Sequence, residues 1–584
     1  MYILGINPGH NSTACLLKDG KIISCVSEER FSRIKNHWGF PHKSIKYILE
    51  TEKIKSSDID YLVLGIFIGD SIMKPGHKYD SFMTNYTKKS NLKKIFGDIT
   101  YGMPFLTEPI LELKRQLTNF KKSSKIKKSI KEISNQIGID ENKIIYLDHH
   151  LAHAMSTCFN LPRKEKSLIF TLDGEGDYVS STVNVYDGKT GKINRIATSE
   201  KGSSIGYLYA ITTIYLGMKA NQHEFKVMGL APYAKKEKVD EVYDELKKIV
   251  WIDGLLFKSK FRLQYFDSYL RDKMRWTRFD NLAGGVQKLT EELSLKWVKN
   301  GVKKTGITNV ALAGGVLMNV KVNQKISELP EVKNIFCMPS AGDESTAIGA
   351  CFWGYRKYCE DNKILFQPQP IEDLYLGPAY DEEYIQKAIE KNSWNDRYKI
   401  KKINNINKEL AKLLARGEII ARCSGKSEWG ARALGNRSIL SNASNPQTIR
   451  ILNETIKDRD FWMPFTPSML EEYFEKYAIN PKKIKSPYMS LTFESTPLAR
   501  KDIPAAMHPY DFTIRPQAVY KSWNPDYYEI LEEYKKITGV GGILNTSFNL
   551  HGEPNVLTPE DAIHTVDNSD LKYLAMGKYL FEKK

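Results

Sequence analysis

The sequence predicts an α/β fold, with a two-lobed N-terminal domain followed by a smaller α/β domain. Three observations carry this expectation. A pattern of strand, polar loop, strand, tight turn and strand is written twice. Two buried strand runs end in small residues that open helices. A segment with alternating prolines, Phe366-Gln367-Pro368-Gln369-Pro370, separates these motifs from a second set of strands and helices; such prolines continue neither regular element.

In the first copy, the apolar run 2–6 meets Asn7-Pro8-Gly9-His10-Asn11, a second run spans 13–17, and Asp19-Gly20-Lys21 turns into a third run, 22–26. In the second copy, run 168–172 meets Asp173-Gly174-Glu175-Gly176-Asp177, and run 182–186 reaches Asp187-Gly188-Lys189. Turns of this composition close hairpins, and the polar loops aim backbone N–H groups at a phosphate. Two copies predict two related lobes with a cleft between them. Residues 309–313 read as a buried strand ending at Gly314-Gly315, with a helical stretch from Val316. Residues 334–338 form another, ending in Pro339-Ser340-Ala341-Gly342-Asp343 before a helix from Glu344 to about Tyr358. A strand that opens a helix through small residues leaves N–H groups beside an anion. Beyond the prolines, a helix over 408–415 leads into a strand over 418–423. The domains are placed at 1–362 and 363–584.

A chain of 584 residues can build at least two separate cores. Its 41% hydrophobic and 27% charged content excludes a disordered chain. The longest apolar stretch, 61–68, is too short to cross a bilayer. Met1 begins a strand-like run without a basic flank, so no signal peptide is expected. Seven scattered cysteines give neither a disulfide framework nor metal-type spacing. A cytoplasmic protein without membrane insertion is expected. The net charge of +17 raises nucleic acid as a partner. Much of the excess lies in 88–131, including Lys121, Lys122, Lys125, Lys127 and Lys128, where aromatics for stacking bases are sparse. That stretch reads as a solvated Lys-rich insertion within about 70–145, and no nucleic-acid partner is expected.

The first chemical cluster is Asp148-His149-His150-Leu151-Ala152-His153. His149 and His153, four apart, share one face of a helix and can share a divalent metal. The metalloprotease pattern needs Glu after the first His, and His150 stands there. Asp173 and Asp343, at loop tips, are the natural further ligands. Two imidazoles and two carboxylates suit Fe2+, Mn2+ or Zn2+ better than Mg2+. Each Asp has an alternative, Asp343 as a helix cap and Asp173 as a turn former.

The second cluster is Glu428-Trp429-Gly430-Ala431-Arg432-Ala433-Leu434-Gly435-Asn436-Arg437-Ser438, followed by Lys457-Asp458-Arg459 and Asn545-Thr546-Ser547-Phe548-Asn549. Guanidinium forks framed by glycines suit phosphate or carboxylate; a surface salt-bridge network is the alternative. Gly202-Ser203-Ser204-Ile205-Gly206 fits the nucleophile-elbow string, but the preceding residues 198–201 are polar where the elbow needs a buried strand.

With these residues in view, the chain resembles the O-carbamoyltransferases of the nodulation-factor, cephem and aminoglycoside type. The specific stretches are 5–17, Ser27-Glu28-Glu29-Arg30-Phe31-Ser32-Arg33, 149–153, Glu224-Phe225-Lys226-Val227-Met228-Gly229-Leu230-Ala231-Pro232, 314–319, 428–440 and 545–554. The resemblance implies an actin/hexokinase-like (ASKHA) first domain, similar to the TsaD-type transferase, and a YrdC-like second domain. It implies ATP, with Mg2+, and carbamoyl phosphate as substrates of the second domain, which forms carbamoyl-AMP and pyrophosphate. The carbamoyl group then passes to a hydroxyl of a small-molecule or saccharide acceptor in the first domain. His149, His153, Asp173 and Asp343 carry over as metal ligands, Fe2+ first. Lys457, Arg459, Ser547 and Asn549 match the Lys-x-Arg and Ser-x-Asn signature, with Arg432 and Arg437 adding charge. Lys457, Arg459 and Arg432 are the expected catalytic cations. Gly314, Gly315 and Asn319 are expected to bind nucleotide. His10 is expected to accept the acceptor's proton, with a pKa near the working pH. Met463-Pro464 stands where the family pattern has Arg-Pro, and Ala431 replaces a usual Pro. The alternatives are an ASKHA sugar kinase and a threonylcarbamoyl-type tRNA-modifying enzyme. A homodimer is the expected assembly.

Overall fold

The computed structural model describes residues 1–66, 95, 98–99, 101–103, 122–162 and 164–584. Most of the expected insertion at 70–145 lies outside the described residues. Its described end is the helix Lys122–Ile137, on which Lys127, Lys128 and Lys131 are exposed and Ile133 is buried. The chain forms two compact units. The first comprises Met1–Glu28 and Asn36–Ile371, and the second Glu29–Lys35 and Glu372–Lys584.

Among the described residues, the repeated sequence pattern becomes two five-stranded sheets in the first unit. One contains β1 (Tyr2–Asn7), β2 (Thr13–Lys18), β3 (Lys21–Ser27), β4 (Tyr61–Leu64) and β5 (Ile144–Tyr146), in the order β3-β2-β1-β4-β5. The other contains β6 (Lys166–Gly176), β7 (Val179–Asp187), β8 (Lys192–Glu200), β11 (Asn309–Ala313) and β12 (Asn334–Cys337), in the order β12-β11-β6-β7-β8. Each is an antiparallel meander of three strands extended by two parallel ones, β1∥β4∥β5 and β6∥β11∥β12. The same strand order arises twice because the hairpin turns fix the meander register, while helical crossovers return the later strands in parallel. All five residues of β11 are buried, as expected of an apolar strand covered on both faces. A separate hairpin joins β9 (Val250–Asp253) to β10 (Leu256–Ser259).

Two sequence expectations are corrected here. The helix expected from Val316 is interrupted: Gly315–Met318 makes a 3₁₀ turn, and the α-helix runs from Val320 to Glu328 with Asn319 as its cap. The helix expected to end near Tyr358 runs over Ser345–Asn362.

The second unit has one eight-stranded mixed sheet. Its strands are β13 (Tyr398–Lys402), β14 (Ile420–Cys423), β15 (Arg437–Ser441), β16 (Thr466–Leu470), β17 (Gln517–Val519), β18 (Gly542–Ser547), β19 (Tyr573–Met576) and β20 (Tyr579–Lys583). Their order is β13-β20-β19-β14-β15-β18-β16-β17. The helices Ile406–Ala415 and Pro525–Thr538 bury Leu410, Leu414, Ile530, Leu531 and Tyr534 against one face, forming a core with Ile420, Leu440 and Ile543. The excursion Glu29–Lys35 joins this unit through hydrogen bonds from Arg30 to Gly430 O (3.0 Å) and from Arg33 to Asn555 O (2.7 Å). All seven cysteines are buried and free of disulfides. Among the described residues, no helix is long and apolar enough to cross a membrane.

Candidate metal centre and anion site

Asp148 caps the helix His149–Thr157, its side chain accepting from Leu151 N at 2.8 Å. The helix lies close against Ser345–Asn362, where a Cβ on Gly349 would sit 1.7 Å from Ala152 O. The i, i+4 spacing turns His149 and His153 to one side. Their Nε2 atoms are 3.1 Å apart, and each lies 3.2 Å from Asp173 Oδ2. Asp343 Oδ1 is 3.7 Å from His149 Nε2 and 3.9 Å from His153 Nε2. One ligand atom from each of the four residues lies within 4.8 Å of all the others. His150 faces elsewhere, held by Thr171 Oγ1 and Val179 O.

The electrostatics of this cluster call for a cation. Burial would raise the Asp173 carboxyl, but His149 and His153 hold it well below the ordinary range. Burial and the Asp173 charge push Asp343 up. Burial works to lower His149, yet Asp173 and Asp343 outweigh it and lift the imidazole to about 9. Burial lowers the neighbouring His153, so the cluster sets two carboxylates beside two imidazoles of opposite pKa shift, a charge pattern that a divalent ion would balance. Two imidazole nitrogens and two carboxylate oxygens fit Fe2+, Mn2+ or Zn2+.

The two aspartates differ in their further partners. The helix Ser345–Asn362 receives no side-chain cap, and Asp343 turns its carboxylate to the histidines. Asp173 Oδ1 accepts from Gly174 N (2.7 Å) and Gly315 N (3.3 Å) while Oδ2 faces the imidazoles. Gly314 has φ 102°, and a Cβ there would lie 2.4 Å from Leu172 O, so only glycine lets this loop lie against β6. Asn319 Oδ1 accepts from Lys321 N and Val322 N, and its amide donates to Gln287 Oε1 at 2.8 Å. Ser204, in the elbow-like string, caps the helix Ile205–Tyr215 and donates to Gly174 O at 2.7 Å, so its hydroxyl fastens the Asp173 loop.

His10 lies in the turn organised by Asn7, whose amide donates to His10 O at 2.6 Å. The expected pKa near the working pH is corrected: burial drives the imidazole down to about 4, and the Asp173 charge offsets only part of this.

In the second unit, Lys457 ends a π-helical turn, Asn453–Lys457, and the chain reverses at Asp458 with φ 43°. The buried Lys457 ammonium donates to Ser547 O, Asn549 O (3.2 Å) and Asn549 Oδ1 (3.1 Å). Burial and the charges of Arg459 and Lys35 push its pKa well down. Arg459 donates to Thr546 Oγ1 at 2.9 Å; burial and Arg432 lower it to about 10. Lys457, Arg459 and Arg432 are close enough for each charge to act on the next.

The nucleotide-binding expectation for Arg437 is corrected. Arg437 is 1% exposed and spends its donors on the carbonyls of Leu557, Ser424, Gly425, Asn436 and Pro378. It ties loops together. The buried Glu428 does similar work, accepting from the backbone N–H groups of Leu434, Asn436 and Arg437. Arg515 is the residue that sequence reasoning missed. Burial first, then Arg432 and Arg459, push its pKa well down, so it joins the same cationic group. Its Nε is buried without a hydrogen-bond partner. The available signal was the Arg515-Pro516 pair, given that Met463-Pro464 lacks the arginine.

A family description, carbamoyltransferase N-terminus, matches residues 2–352, and a second, carbamoyltransferase C-terminus, matches residues 411–583. The chain therefore belongs to the carbamoyltransferase family and is an enzyme of that class. It is 29% identical to the nodulation protein NolNO of Sinorhizobium fredii (strain NGR234), over 98% of this chain and 79% of that protein. It is 31% identical to the nodulation protein NolO of Bradyrhizobium diazoefficiens over 75% of this chain and 79% of that protein. A third relative, an uncharacterized protein of Methanocaldococcus jannaschii, is 31% identical over 100% of this chain and 99% of its own length. Among solved structures, T. kodakarensis HypF aligns at 13% identity with a TM-score of 0.35, over 63% of this chain and 49% of that one.

Proposed function

We propose that the protein is an ATP-dependent O-carbamoyltransferase with two half-reactions. In the YrdC-like domain, 363–584, water cleaves carbamoyl phosphate to carbamate and phosphate, and the carbamate oxygen attacks the α-phosphate of ATP, giving carbamoyl-AMP and pyrophosphate. In the ASKHA-like, two-lobed domain, 1–362, an acceptor hydroxyl attacks the carbamoyl carbon and AMP leaves.

The observation that carries this reading is the convergence of His149, His153, Asp173 and Asp343 in a carbamoyltransferase. A divalent ion held by these four would supply Lewis-acid polarisation of the carbamoyl carbonyl. The chain's own residues do the rest. His10, which burial keeps neutral, would take the hydroxyl proton. Gly314, Gly315 and Asn319 would border the nucleotide, with the Gly314 and Gly315 N–H groups donating to Ala341 O and Asp173 Oδ1 to hold the loop's shape. In the second unit, Lys457, Arg459, Arg432 and Arg515 would neutralise phosphate oxygens and align the in-line attack, which is most of what phosphoryl chemistry requires. Ser547 and Asn549 hold Lys457 in place. Mg2+ would accompany ATP in this step. We place the enzyme in the cytoplasm, with a homodimer as its assembly.

The test is product analysis with ATP and each candidate donor. Pyrophosphate and AMP from ATP and carbamoyl phosphate are expected. ADP would indicate a kinase, and a requirement for bicarbonate plus threonine would indicate the threonylcarbamoyl reaction.

A further inference from the structure

We propose that Glu344 is a positioning residue that ties the His10 turn to the Asp343 loop, so that a divalent ion at the four-ligand cluster and the placement of His10 are coupled. The inference rests on the reading that the cluster holds such an ion. The two loops belong to different sheets. Residues 8–12 join β1 to β2, and residues 338–344 lead from β12 into the helix Ser345–Asn362. Asp343 is a member of the cluster, and Glu344 follows it in the chain.

Glu344 stands at the cap position of that helix but makes no capping bond. The residue is 4% exposed, and its carboxylate turns to two other groups. Oε2 accepts from Asn11 Nδ2 at 3.0 Å, across 333 residues of chain, and Oε1 accepts from Ser340 Oγ. A Cβ on Gly342 would lie 2.6 Å from Oε2, so glycine there leaves the carboxylate room to fold back. A buried carboxylate held by hydrogen bonds is costly to displace, which makes the Asp343 loop and Asn11 move together. Asn11 directly follows His10, in left-handed backbone with φ 54°, which asparagine accepts more readily than most residues. Its carbonyl accepts from Thr13 Oγ1 at 2.8 Å and from Asn7 Nδ2 at 3.3 Å, and Asn7 Nδ2 also donates to His10 O. The turn is thus pinned from β1, from β2 and, through Asn11, from the loop that carries Asp343. The His10 imidazole is close enough to the cluster to respond to the Asp173 charge, so a shift of this turn changes how the two face each other.

Hydrogen exchange of residues 8–12 would be measured on the full-length protein with and without Mn2+, and Mn2+ affinity by electron paramagnetic resonance. In the wild type, Mn2+ is expected to slow exchange in this segment by about tenfold, within the usual range for coupled sites. Asn11→Gly accommodates the left-handed backbone and touches none of the four ligands, whereas Glu344→Ala removes both acceptors. In both variants the protection by Mn2+ should disappear. By reciprocity, Asn11→Gly should also weaken Mn2+ binding by about the same factor. Glu344→Gln can still accept from Asn11 and donate to Ser340, so it should keep the coupling, a rescue that a merely structural role would not single out. Mn2+ binding without protection in the wild type, equal protection in Asn11→Gly, or unchanged Mn2+ affinity in that variant would overturn this proposal alone. Failure of the wild type to bind Mn2+ would overturn it together with the ion reading. Pyrophosphate release reports separately on the adenylate step.

Discussion

His149 and Gly176 form a pair in which one residue's size sets the other's position. The Cβ of Gly176→Ala would stand 1.9 Å from the His149 imidazole, so the ring would have to shift. The expected outcome is a metal affinity lowered at least about tenfold, the scale for disturbing the support of a ligand, measured by metal titration of the purified variant. A second prediction concerns Glu224, whose carboxyl burial lifts from 4.5 to about 7, with backbone N–H groups of residues 221, 223 and 224 opposing the rise. Its folded pKa lies above the unfolded one, so the folded state binds the extra proton between those values. Stability should therefore fall as pH rises from about 4.5 to about 7, by at most about 3 kcal/mol, and level off above. Glu224→Gln should flatten that part of the stability profile in denaturant titrations.

At the scale of elements, spacing was legible where chemistry depends on a single helix or loop. His149 and His153 at i, i+4, and two aspartates at strand ends, could be nominated because each sits at a position that regular structure turns outward from the backbone. Arg437 shows the opposite. Framed by Gly435 and Ser438, it has the look of a ligand, yet it starts β15 and meets carbonyls from 378, 424, 425 and 557, segments far apart in the chain. Arg437→Ala should destabilise the second unit by about 3 kcal/mol or more, since buried carbonyls would lose their donors. Thermal unfolding would show this, whereas a ligand residue would mainly raise KM. The Ser27–Arg33 motif was legible as a string, but not as what it does: Arg30 and Arg33 bond to the second unit's own loops.

For the whole molecule, the two half-reactions should separate chemically. Removing the divalent ion with a chelator is expected to abolish carbamoyl transfer to acceptor while pyrophosphate release continues with Mg2+ restored; loss of both steps together would contradict the division of labour. The sequence by itself determined the duplicated meander, because turn residues and apolar runs specify local pairing, and β1–β3 and β6–β8 need no distant partner to be read. It also determined the family, because ordered strings recur along the chain. Only the tertiary structure decided which charged groups share a site. It gathered Arg515 with Arg432 and Arg459, withdrew Arg437, and pushed the His10 pKa down to about 4. Burial and the company of other charges are set by chain segments tens of residues to more than a hundred apart, and no local pattern encodes them.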